Sequence, residues 1–209
     1  MENKIYKHPY FGDIYYTVYI SENLKGKENL PMLVCLHGAG ERGQNHDSLY
    51  VHGVLKYIKN GTLDVPGIVI CPQCPTEHVW VNLASMLKEF ILDMAQQYKA
   101  DMSRISITGL SMGGYGTWEM LMHNPELFYK AAPICSGGTP WRAQFIKAKV
   151  WAFHGDEDNV VPVKNSYEMI DAMRAVGLNP KFTIFHGVGH GSWEPAYEDT
   201  RVIQWLFED

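Results

Sequence analysis

The sequence predicts an α/β fold in three layers, a mainly parallel central sheet with helices on both faces and no large cap domain. Two observations carry the prediction. Several short runs are apolar or nearly so, such as residues 31–36 (PMLVCL), 67–71 (GIVIC) and 149–154 (KVWAFH). Runs without polar alternation suit strands covered on both faces, as in parallel sheets. Between them lie stretches with helical spacing, so that strand and helix alternate along the chain.

Taken in order, residues 14–20 (IYYTVYI) are aromatic and β-branched and read as the first strand. Residues 21–30 are polar, contain Gly26, and read as a hairpin-like connection. Residues 31–36 form a buried strand, followed by the glycine-rich loop 37–43 and a weak helix at 49–60 before Gly61. Residues 67–71 form the next strand, and Pro72 and Pro75 then enforce an irregular loop. The clearest helix is 81–98, where Leu83, Leu87, Phe90, Ile91, Met94 and Ala95 recur at three- and four-residue steps. Residues 104–108 are a strand and 114–123 a helix that stops near Pro125. Strands follow at 130–135 and 149–154, with a short helix or lid segment at 140–148 between them. Residues 163–176 are helical, with Gly177 as the stop. Residues 180–185 are the last strand. A single closing helix is expected at 195–207, with Pro195 in its first turn. No repeat, linker or low-complexity stretch divides the 209 residues, so one domain is expected over 1–209.

Composition narrows the function classes. The net charge is -5, and Lys and Arg are scattered rather than striped, which speaks against a nucleic-acid partner. No stretch approaches the roughly 18 apolar residues that span a membrane. The first residues lack the apolar core of a signal peptide, so a cytoplasmic location is expected. Cys71 and Cys74 form a C-x-x-C, yet no second pair or H-x-x-x-H completes a zinc site. Cys35, Cys71 and Cys135 end apolar runs and read as buried structural thiols. Neither metal nor cofactor is expected. No pattern sets an oligomeric state.

The chemistry centres on Gly109-Leu110-Ser111-Met112-Gly113, a Gly-x-Ser-x-Gly between a strand and a helix. Glycines permit the sharp reversal that pushes the serine hydroxyl into a cleft, and the next backbone N–H groups point to the same place. Parallel sheets place ligands beyond the carboxyl ends of their strands. At that edge this chain puts the loop His37-Gly38-Ala39-Gly40, Ser111, the loop His154-Gly155-Asp156-Glu157-Asp158, and the loop His186-Gly187-Val188-Gly189-His190. A serine hydroxyl needs a histidine to take its proton and an acid to orient that histidine. Serine, acid and histidine follow one another in the order expected of a serine on such an elbow.

Four blocks carry a resemblance: residues 37–43 (HGAGERG), 109–114 (GLSMGG), 154–162 (HGDEDNVVP) and Gly189-His190. On these, the chain resembles the α/β-hydrolases, within them the small carboxylesterases related to phospholipase/carboxylesterases and dienelactone-hydrolase-like proteins. The resemblance covers the chain from about residue 30 onward. Dienelactone hydrolases proper use a cysteine nucleophile; Ser111 here points instead to an esterase. The resemblance implies Ser111 as nucleophile, Asp158 as the acid and His190 as the base. Asp156 is then expected to cap its turn, and His186 to pack. It also implies an oxyanion hole from the backbone N–H groups of Ala39 and Met112. His37 and His154 read as histidines that brace their loops. Glu41 and Arg42 either pair to brace the loop or are solvated.

Trp80 resembles a tryptophan found beside the site in such esterases and is the candidate substrate-binding residue, although a core position is as compatible with its context. Trp141 and Trp193 carry the same ambiguity, and Tyr115 packs under the elbow. The short span between the strands ending near 135 and beginning near 150 implies an open cleft. The expected activity is hydrolysis of short-chain or carbohydrate-linked (acetyl- or feruloyl-type) esters through an acyl-enzyme on Ser111. The competing readings are a small prolyl-oligopeptidase-type serine peptidase and a non-catalytic hydrolase-like binding protein.

Overall fold

The structure, a computed structural model, describes residues 1–209. Its eight strands are β1 (Glu2–His8), β2 (Gly12–Ile20), β3 (Leu30–Leu36), β4 (Ile68–Pro72), β5 (Ala100–Leu110), β6 (Lys130–Ile134), β7 (Lys149–Gly155) and β8 (Lys181–Phe185). Six α-helices accompany them: α1 (Val54–Lys59), α2 (Ala84–Gln97), α3 (Met112–His123), α4 (Lys164–Ala175), α5 (Trp193–Glu198) and α6 (Arg201–Phe207). The strands form one sheet in the order β1-β2-β4-β3-β5-β6-β7-β8. β1, β2 and β4 pair antiparallel, and every other neighbouring pair is parallel.

The continuously apolar strands are buried because both faces are covered. Successive side chains of a strand point to opposite faces. Met32, Val34 and Leu36 of β3 therefore join a core with Leu87 and Phe90 of α2, Trp118 of α3 and Met169 of α4. Leu33 and Cys35 join the core on the other face, with Leu55 of α1, Tyr197 of α5 and Leu206 of α6. Lys130 is buried at the sheet's lower edge, where its ammonium donates to the Trp205 and Glu208 carbonyls at the end of α6, each at 2.8 Å. A cation on the orphan carbonyls of a helix end satisfies both partners.

Three expectations need correction. The chain opens with a hairpin, β1 and β2, and not with a single strand. β1 is an edge strand with exposed Glu2, Asn3, Ile5 and Lys7, whose inward face is carried by Tyr6 and His8 and so lacks an apolar run. Residues 21–30 do not close a hairpin, because β2 pairs with β4 and β3 lies beyond it. The closing helix is two helices, broken at Thr200, which takes φ 52. The segment 140–148 contains a short 3₁₀ turn at Pro140–Phe145, and no cap is inserted between β6 and β7. No helix is long and apolar enough to cross a membrane.

Candidate active site

The carboxyl ends of β3, β5, β7 and β8 bring the candidate residues together. Ser111 stands between β5 and α3 at φ 51, ψ -118, a conformation that costs free energy and persists because its surroundings hold it. Its N–H is taken by the Ile134 carbonyl at 3.0 Å and the Cys135 sulfur at 3.3 Å. Gly109 is needed because a Cβ there would lie 2.2 Å from the Gly113 carbonyl oxygen. His190 Nε2 is 2.9 Å from Ser111 Oγ, and His190 Nδ1 is 2.8 Å from Asp158 Oδ2. These two contacts are those a serine–histidine–acid relay requires.

Asp158 follows β7 in a tight loop. Its Oδ1 accepts the N–H groups of Val160 (2.9 Å) and Val161 (2.8 Å). Burial by itself would raise its carboxyl; the bonds from His190 and the two N–H groups outweigh burial and hold it below the usual carboxylate value. The stability this pairing adds is present above the ordinary carboxylate range and is lost as pH falls through the depressed value. Asp156 takes a different place: Oδ1 accepts the Gly187 N–H at 2.8 Å, and Oδ2 pairs with His186 Nδ1 at 2.7 Å. That pair is exposed and ties the start of the 186–190 loop to the acid loop.

Ala39 is the first residue of a short 3₁₀ helix (Ala39–Glu41), and Met112 is the first of α3. First-turn N–H groups have no intrahelical acceptor, so both are open to an incoming oxygen. The loop that carries Ala39 is heavily braced. His37 Nδ1 donates to the Gly38 carbonyl (2.6 Å) while its Nε2 accepts the Cys74 N–H (2.9 Å). Arg42 Nε donates to the Ala39 carbonyl at 3.0 Å. Glu41 and Arg42 do not pair: the Glu41 carboxylate is buried near His37 and His52.

Trp80 takes the core position left open for it and also borders the cleft beside Ser111. Its side chain is fully buried, its Nε1 donates to the His37 carbonyl at 2.9 Å, and its ring meets the His37 ring edge-on. It props the 37–41 loop from behind. Trp80→Phe removes the only side-chain donor drawn to that carbonyl and is expected to cost about 2 kcal/mol, an unsatisfied buried acceptor. For a chain of this size that is a fall in Tm of about 6 °C, read by thermal unfolding. Trp141 is 80 % exposed. Trp193 packs edge-on against the His190 ring, at 5.3 Å between centroids, and so covers one side of it.

A cleft of about 350 Å³ opens beside Ser111, with Val79, Trp80, Val81, Met112 and Tyr115 around it. Tyr115 reaches the cleft instead of packing under the elbow, and its hydroxyl accepts from Asn165 Nδ2 at 3.2 Å. Among His, Cys, Asp and Glu, the one group with donor atoms mutually within 4.8 Å is Cys135, Asp158 and His190. There the carboxylate and imidazole are already bonded to each other, and burial pushes the Cys135 thiol up to about 12, which opposes the thiolate a metal needs. All four cysteines are free and buried.

The sequence model of the phospholipase/carboxylesterase family matches residues 73–202, well over half of the chain. The chain belongs to that family. Over its whole length it also superposes on a thermostable esterase at TM-score 0.85 and 32% identity, covering 99% of this chain and 62% of that one. An acetyl xylan esterase from Aspergillus awamori shares the fold at TM-score 0.75 and 17% identity over 99% of both chains. A curated relative from Escherichia coli K12, named "Putative carboxymethylenebutenolidase", is 25% identical over 171 residues, 70% of this chain and 60% of its own. This family member thus spans about 60% of the length of the curated relatives it first matches.

Proposed function

We propose that this family member is a serine carboxylesterase acting on short-chain or carbohydrate-linked esters of the acetyl or feruloyl type. The observation that carries the reading is the unbroken line of contacts from Asp158 through His190 to Ser111, at 2.8 and 2.9 Å, opening on an apolar cleft. Ser111 Oγ attacks the ester carbonyl as His190 Nε2 takes its proton. The N–H groups of Ala39 and Met112 hold the oxyanion, each worth roughly 2.7–4 kcal/mol in the transition state. His190 then protonates the leaving alcohol, and water releases the acyl group with the roles reversed.

The lining of the cleft supports an uncharged acyl or alcohol group. Neither Lys nor Arg is among the residues around it, so a substrate carboxylate has no cation to meet and loses its water there. On a panel of p-nitrophenyl acetate, methyl ferulate, acetylated xylan and a carboxylate-bearing lactone, the neutral esters are expected to turn over at least tenfold faster than the lactone. Faster hydrolysis of the lactone, or of a proline anilide, would overturn the substrate assignment.

A further inference from the structure

Asp158 Oδ2 faces two histidines. Besides His190 Nδ1 at 2.8 Å, it lies 3.2 Å from Nε2 of His154, at the end of β7. His154 is fully buried. Its Nε2 is also 2.8 Å from the Val161 carbonyl. A carbonyl and a carboxylate can only accept, so Nε2 carries a proton and shares it between them. A neutral ring with its proton on Nε2 can only accept at Nδ1, so the single Ser166 hydroxyl proton is donated there (2.7 Å), with the Ser136 carbonyl (2.8 Å) as the other acceptor within its reach.

We propose that His154 is a positioning residue for the triad: its Nε2–H fixes the plane of the Asp158 carboxylate and draws charge from Oδ2, which limits how tightly that oxygen holds the proton of charged His190. This rests on the triad reading. Asp158 has four donors in all: Val160 and Val161 N–H on Oδ1, His154 and His190 on Oδ2. The other titratable groups near the pair are Cys135 at the end of β6 and Tyr115 of α3, with Ser111 on His190 and His52 beyond the Trp193 ring. Burial lowers His154 from the ordinary histidine value, against the raising pull of Val161 and Asp158, and so favours the neutral ring with its proton on Nε2. A donor on Oδ2 competes with His190 for the same lone pairs. Remove it, and the carboxylate stabilises His190 in its charged form more strongly; the base is then protonated up to a higher pH.

The test compares His154→Phe, which keeps a ring without a donor, with His154→Gln, whose amide can still donate. The ring carbon of His190 is titrated by NMR in the intact chain with labelled histidine, and the pH profile of kcat/KM is measured beside it. His154→Phe is expected to raise the His190 midpoint, and with it the acidic limb, by about one pH unit, the scale of one hydrogen bond to a charged group. kcat/KM on the acidic limb falls roughly tenfold, as that shift requires, and is unchanged on the plateau. His154→Gln restores the native midpoint. If His154→Phe does not fold, His154→Met takes its place as the donorless variant. An unmoved midpoint in a folded donorless variant, or an equal shift in the Gln variant, would overturn the proposal. The NMR titration needs no substrate, so it decides the role of His154 even if no ester on the panel is hydrolysed.

Discussion

Ser111→Ala is expected to lower kcat for p-nitrophenyl acetate by on the order of 10⁶, the scale on which serine hydrolases lose their nucleophile. The fold has little to lose. The hydroxyl's contact is with His190 Nε2, and the His190–Asp158 bond does not pass through it. The elbow is held by the Ser111 N–H and by the close contact of Gly109 with Gly113, both of which alanine keeps. Circular dichroism and Tm should therefore match the parent, and a fluorophosphonate probe should no longer label the chain. An unchanged rate in a folded variant would remove Ser111 as nucleophile, and with it the acyl-enzyme.

Gly113→Ala is expected to be among the most damaging single methyls in the molecule. A Cβ at this position would lie 2.0 Å from the Leu36 carbonyl oxygen, 2.5 Å from its carbon and 2.7 Å from the His37 carbonyl oxygen. All three are backbone atoms at the end of β3, so no side chain can rotate away. The start of α3 and the His37–Ala39 loop must separate. Overpacking of this kind costs about 3 kcal/mol or more, a fall in Tm of roughly 10 °C for a chain this long. The same separation pulls apart Ala39 and Met112, so kcat should also fall in whatever fraction folds. A thermal melt with a parallel rate measurement checks both; a native Tm would show that the two backbones are not held as closely as described.

Much of the fold was legible because its strands are buried on both faces. Residues 31–36, 67–71 and 149–154 have no polar side to confuse the pattern, and each became a strand within a residue or two. β1 was not legible for the opposite reason. An edge strand with one neighbour and a wet face needs no apolar run, and Glu2–His8 carries charges along most of its length. The break at Thr200 was hidden as well. Threonine has no local preference for φ 52, and only the need to seat α5 and α6 against the sheet imposes it.

The candidate site divides along the same line. Linear order alone determined that Ser111, Asp158 and His190 follow strands at one edge of a parallel sheet, because chain direction dictates where each strand ends. The resemblance, not linear order, pointed to Ala39 and Met112, and could do so because backbone N–H groups need only a loop and a helix start. Burial and mutual orientation were decided by packing. That Trp80 is a prop shows only when the His37 carbonyl is found 2.9 Å from its indole nitrogen. Glu41 and Arg42, neighbours in the chain, turn to different partners because one side chain faces the buried His37 and the other the rim. His154 read as a loop brace, which it is through Val161; that its proton also reaches Asp158 Oδ2 depends on a turn folding the chain back four residues onto itself. Sequence pattern records which strands must be dry and where they end, whereas the direction in which each side chain points beyond that edge is a property of the packed molecule.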